Sequence, residues 1–123
     1  MKKLPKVSTV RNKADALLTP LIKGMNPHCL LCGRATEVAH HFVHKSKSTR
    51  LRYELKNLIN LCNSCHFALH QNEGFYSAKI IQINGLEWFN ALERIKNEVI
   101  KADVHYFIAQ YERLKSLSPI NKN

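Results

Sequence analysis

Apolar residues recur along the chain at two different periods. Val10, Ala14, Leu17, Leu18 and Leu21 stand at i, i+4, i+7, i+8 and i+11, and this stripe predicts an amphipathic helix over residues 9 to 23 behind Ser8 or Thr9 as cap. Pro20 lies inside that stretch and should kink the helix or end it early, because its ring clashes with the preceding turn. Further on the helical period gives way to two short candidate strands, Glu37 to Val43 and Leu55 to Leu61. The connection between them is long for a hairpin and carries Lys45, Lys47, Arg50 and Arg52. Asn63 or Ser64 is placed to cap a short helix through Gln71, with Gly74 ending it. Helical spacing returns in the tail, first as Leu86, Phe89, Leu92, Ile95 and Val99. After a break at Lys101-Ala102 it resumes as Val104, Phe107, Ile108, Tyr111 and Leu114 behind Asp103 as cap. Trp88 and Phe89 read as core anchors rather than as platforms for stacked bases. Ser118 to Asn123 reads as a frayed end.

The order helix, hairpin, helix, helical tail makes this an α+β chain. Its 123 residues fit a single domain, with residues 1–27 as a basic arm and helix, 28–73 as the core and 74–123 as the helical tail. A domain of this size buries roughly two thirds of its surface. No apolar run approaches the ~18 residues that mark a membrane span, and Leu4-Pro5-Lys6 interrupts any secretory signal before it starts. Charge changes the picture further. Residues 1 to 60 hold 12 Lys and Arg against 3 Asp and Glu, whereas residues 61 to 123 hold 7 against 6. A basic half of this kind suits a polyanion, since neutralising phosphates releases counterions, and Lys45, Lys47, Arg50 and Arg52 are the expected phosphate contacts. A merely solvated basic surface is the plainer alternative.

Four cysteines form two CxxC pairs, Cys29 with Cys32 and Cys62 with Cys65. Each pair puts two sulfurs on one tight turn, and two turns supply the four ligands of a structural Zn²⁺. Cysteines used in this way suit a reducing, cytoplasmic setting. A closed Cys₄ site has no coordination position left for histidine. His40, His41, His66 and His70 therefore need a separate explanation. His66 and His70, at i and i+4, share a helical face on which a cation can sit. His40 and His41 are adjacent, so a regular strand would send them to opposite faces, and a bend or strand end is required to bring both into one site. His28 and His105 read as solvent or packing residues, and His44 as a phosphate contact.

The order Cys29-x-x-Cys32, His40-His41, Asn57-Leu58-Ile59-Asn60-Leu61-Cys62, Cys65-His66-x-x-x-His70 resembles the HNH endonucleases. Their ββα-metal fold, a hairpin and a helix around one divalent cation, often carries a Cys₄ zinc knuckle. The wider stretch from Lys6 to about Leu117 looks like phage recombination nucleases of the NinG/Rap type. The segments that carry this likeness are a basic helix before the first CxxC, "AHHFVHKS", "LRYELKN" and the tail from Gly85 to Leu114. The resemblance implies a metal-dependent DNA endonuclease, phage-encoded and acting in recombination or replication on a substrate that includes branched DNA. By position it makes His41 the general base and His40, His66 and His70 the ligands of a catalytic Mg²⁺, Mn²⁺, Ni²⁺ or Zn²⁺. Asn57 would orient the hairpin loop, Asn60 being the weaker candidate. Products would carry 5′-phosphate and 3′-hydroxyl ends. Cutting a junction on both strands would require a homodimer, formed through the tail helices. A zinc-knuckle DNA-binding protein without catalysis is the competing reading, and the presence of a base next to a second metal site favours the enzyme.

Overall fold

The computed structural model describes residues 3–118. The chain opens with two helices where the sequence pattern predicts one: α1, Val7–Ala16, and α2, Leu18–Met25, separated at Leu17. Pro20 explains the break. It has no N–H for the Ala16 carbonyl and its ring would collide with that carbonyl, so the chain restarts and Pro20 falls in the first turn of α2, where proline is tolerated. The predicted cap is also corrected. Lys6, not Ser8 or Thr9, occupies the N-cap of α1, and no side chain caps it.

Two strands pair antiparallel, β1 (Val38–His41) with β2 (Leu58–Leu61), in the register Val38 to Leu61 and His41 to Leu58. Both are shorter than the predicted segments. The start of the second is a 3₁₀ turn, Leu55–Asn57, and the basic connection contains a short helix, α3 (Thr49–Arg52), capped by Ser48. Beyond β2 come α4 (Asn63–Gln71), α5 (Glu73–Asn84), α6 (Leu86–Ile95) and α7 (Val104–Leu117). Gly74 lies inside α5, and the chain turns between α4 and α5 at Asn72 instead. Gly85, at φ 97°, supplies the left-handed backbone that separates α5 from α6. Asp103 caps α7 as expected, accepting from Tyr106 N at 3.0 Å. Val99 does not extend the α6 stripe; it stands 97% exposed beyond the helix end. Of the segment read as frayed, Ser118 is buried as the C-cap of α7, and residues 119–123 lie outside the described residues.

The hairpin separates two apolar clusters because side chains alternate across it. Leu58 joins Val10, Ala14, Leu18, Leu21 and Ile22 of α1 and α2, together with Tyr53 and with Phe107 and Leu114 of α7. Ile59 and Leu61 face the other way and pack with Cys29, Cys62, Leu69 and Ile80. Trp88 anchors this second cluster, lying 4.8 Å from the Phe42 ring centroid and donating Nε1–H to the Lys56 carbonyl at 2.8 Å. No helix among the described residues is long and apolar enough to cross a membrane.

Candidate metal centres

The first CxxC pair sits on a loop closed by the His28–Ala35 bridge. Cys29 N donates to the Arg34 carbonyl, Gly33 N donates to the Cys29 carbonyl at 2.9 Å, and Gly33 at φ 82° makes the reversal that a side chain would strain. Leu30 N donates to Asn60 O at 2.8 Å and the Asn60 amide donates to the His28 carbonyl, so the loop is stitched onto β2. The second pair begins α4. Cys62 is its N-cap, with Sγ accepting from Cys65 N at 3.4 Å, which displaces Asn63 and Ser64 from the predicted capping role. The four sulfurs lie within 4.8 Å of one another, with Cys32 and Cys62 Sγ 3.5 Å apart. Bonds of ~2.3 Å to a tetrahedral zinc place sulfurs roughly 3.8 Å apart, so the four cysteines can hold a structural metal such as zinc. The thiols feel their crowding. Burial alone would raise Cys29, but backbone hydrogen bonds from Cys62, Cys32 and Leu31 bring it down to about 7, whereas burial and the neighbouring sulfurs push Cys65 up. A dication removes this conflict by favouring the thiolate at every position.

α4 also contributes to a second group. His40 from β1 and His66 and His70 from α4 bring ring nitrogens within 4.8 Å of one another. His66 and His70 Nε2 lie 3.0 Å apart, a separation at which two imidazoles can share a cation with bonds of ~2.0–2.1 Å. His40 is 6% exposed, and burial, reinforced by the neighbouring histidines, lowers it to about 3. His66 is lowered as well, by burial and then by His70. Neutral imidazoles are the form that binds metal. The three donors therefore fit a divalent ion of nitrogen preference.

His41 reaches the same cleft by a different route. It pairs with Leu58 and so points away from His40 within the strand, but β1 ends there and the chain bends at Phe42 and Val43. A cavity of about 330 Å³ is consequently lined by His40, His41, His44, Lys45, His66 and His70. His41 Nε2–H donates to the Arg52 carbonyl at 2.9 Å, which leaves Nδ1 as the unprotonated nitrogen. Burial lowers its pKa; the carbonyl contact works against this, and the Lys45 and Arg52 charges add to it. Asn57, 0% exposed, holds the connection that carries these groups. Its Oδ1 accepts from Val43 N at 2.8 Å, and its Nδ2 donates to the Val43 and Leu51 carbonyls at 3.0 and 3.2 Å.

The four cations expected at phosphates divide into two pairs. Lys45 and Lys47 are exposed and lie in no salt bridge among the described residues. Arg52 instead grips Asp15 with two hydrogen bonds of 3.0 and 2.5 Å, and Arg50 is engaged by Glu98 at 3.0 Å and Glu54 at 3.7 Å. Their guanidiniums hold the connection to α1 and to the segment after α6. Sequence reasoning missed the Arg52 carbonyl as the partner of His41, and no side-chain signal could have shown it. It also missed Glu73, whose carboxylate meets His44 Nε2 at 2.5 Å across the cleft.

A hairpin and helix bringing three imidazoles together, next to four clustered cysteines that could hold a structural metal, define a small α+β protein. Residues 11–118 match the family model described as Bacteriophage Lambda NinG protein, and the chain belongs to that family. No curated protein and no solved structure matches it.

Proposed function

We propose that this chain is a metal-dependent DNA endonuclease with an HNH, or ββα-metal, core formed by β1, β2 and α4. The carrying observation is the convergence of His41 with His40, His66 and His70 on one cleft, the Nε2 contact of His41 leaving Nδ1 as the nitrogen that can accept a proton. A divalent ion bound by the three imidazoles would supply positive charge to the phosphoryl oxygens and to the departing 3′ oxygen. His41, kept neutral by burial, takes the proton of the attacking water at Nδ1. The Arg52 carbonyl stabilises the imidazolium that results, and Asn57 holds the connection from which that carbonyl comes. Lys45 and Lys47 meet backbone phosphates on the rim. The Cys₄ group is structural. Membership of a family named for a bacteriophage protein supports a role in phage DNA recombination.

The test is cleavage of supercoiled plasmid by the zinc-loaded protein with Mg²⁺, Mn²⁺ or Ni²⁺ added, against His41→Ala prepared in parallel. Metal-dependent nicking by the wild type and its loss in the variant is the expected result. DNA binding without cleavage under every metal would replace the enzyme with a zinc-knuckle DNA-binding protein.

A further inference from the structure

On α4, Phe67 follows His66 and Gln71 follows His70, so the helix face about 100° round from the imidazoles carries an aromatic ring and an amide. Phe67 is 68% exposed, and Phe75 on α5 is 56% exposed. Both line one open depression of about 430 Å³ with Ala68, Gln71, Asn72 and Tyr76. A single exposed phenylalanine is ordinary, but two sharing a hollow beside a candidate reaction centre are not explained by packing. We propose that Phe67 and Phe75 form a stacking site for an unpaired nucleobase of the strand whose backbone lies in the histidine cleft. This rests on the DNA reading above and extends it to the base that the strand presents.

Three observations choose the occupant. The chemistry is mixed, with flat apolar rings bordered by the Gln71 and Asn72 amides, which suits a base with its apolar face and polar edge. The charge is complementary. Lys79 Nζ lies 5.7 Å from the Phe75 centroid, α4 has no carboxylate, and the sole acid of α5, Glu73, is turned onto His44. The size suits one base, since the hollow's six lining residues are by themselves far fewer than the about 20–30 a side of a stable protein interface. A base inside a duplex has both faces covered by its neighbours. The site therefore selects DNA with a single-stranded or frayed segment next to the phosphate being held.

The experiment uses the full-length zinc-loaded chain in a His41→Ala background, so that binding is read without cleavage. Fluorescence anisotropy compares a short single strand, a blunt duplex and a duplex with a single-stranded arm. Phe67 and Phe75 are then replaced together by Ala, Leu or Tyr, and an iodouracil-substituted strand is photocrosslinked and its attachment mapped. Ala and Leu should each weaken the single strand by about 5- to 100-fold, the range expected for losing one stacked base. Tyr should retain it, duplex affinity should not change, and the crosslink should fall on Phe67 or Phe75. Undiminished single-strand affinity in the Leu variant, or crosslinks confined to other residues, would overturn the proposal. So would a dimer in sedimentation that the Ala variant dissociates, which would make this face a contact between copies. A His41→Ala chain with both phenylalanines intact that binds duplex without preferring single strands defeats the stacking site alone, whereas one that binds no DNA defeats the nuclease reading with it.

Discussion

Asn57→Ala removes one side chain and unties two loops. Asn57 is fully buried and makes three hydrogen bonds, to Val43 N, Val43 O and Leu51 O. At about 1 kcal/mol net for each bond the loss is ~3 kcal/mol, the Leu51 carbonyl still accepting from Glu54 N at 3.2 Å. Single domains are stable by only about 5–15 kcal/mol, so the variant should fold but lose a large share of its margin. Urea unfolding of the zinc-loaded protein, followed by circular dichroism, measures this directly. Asn57→Asp is the sharper probe, because it keeps an acceptor for Val43 N while aiming a carboxylate oxygen at two carbonyls. It should be no more stable than the alanine variant at neutral pH. Cleavage should fall in both by more than the unfolded fraction explains, since the Arg52 carbonyl that orients His41 belongs to the same connection. An alanine variant within ~0.5 kcal/mol of wild type would show that the three contacts contribute nothing net and would remove Asn57 as the positioning residue.

Chelating zinc should unfold the domain, because structural zinc contributes apparent binding energies of about 10–16 kcal/mol, comparable with the whole stability of a chain this size; elemental analysis showing no zinc in an intact fold would end that claim. His41→Ala should lower cleavage by about 10²- to 10⁴-fold with DNA affinity unchanged, as measured by plasmid nicking and anisotropy in parallel. In calorimetry without DNA, Mn²⁺, Ni²⁺ or Zn²⁺ should bind the three-imidazole site more tightly than Mg²⁺, which prefers oxygen; the reverse order would break up the His40, His66 and His70 ligand set. Burial works to raise the Asp15 carboxyl, but its hydrogen bonds to Arg52 prevail and hold it below the usual 3.8. Its stabilisation is thus present above that value and lost as pH falls through the folded pKa, so Asp15→Asn should be less stable than wild type by about 1–2 kcal/mol at pH 7 and converge with it in acid, read from urea midpoints across pH.

The clustering of the four cysteines and of His66 with His70 was legible because it is local. A CxxC turn and an i, i+4 histidine pair carry their geometry in their spacing, and Asp103 announces α7 in the same way. Legibility ended where distant parts of the chain decide. Residues 73–84 place Phe75, Tyr76, Ile80, Ile81 and Ile83 around the helix with only Ile80 buried, so no stripe marked α5, and Gly74 was read as a terminator. Arg52 looked like a free cation because its partner, Asp15, lies 37 residues away. Lys45 and Lys47, with no such partner among the described residues, kept the exposed setting that the sequence suggested.

Cys62 starts α4 through the same sulfur that belongs to the four-cysteine group, and an α-helix turns about 100° per residue. The sulfur therefore sets the angular phase at which His66 and His70 emerge toward His40. One residue inserted between Cys65 and His66 would leave all four thiols where they are and swing both imidazoles away from β1, so a chain so altered would keep the four-cysteine group and lose the three-imidazole cluster.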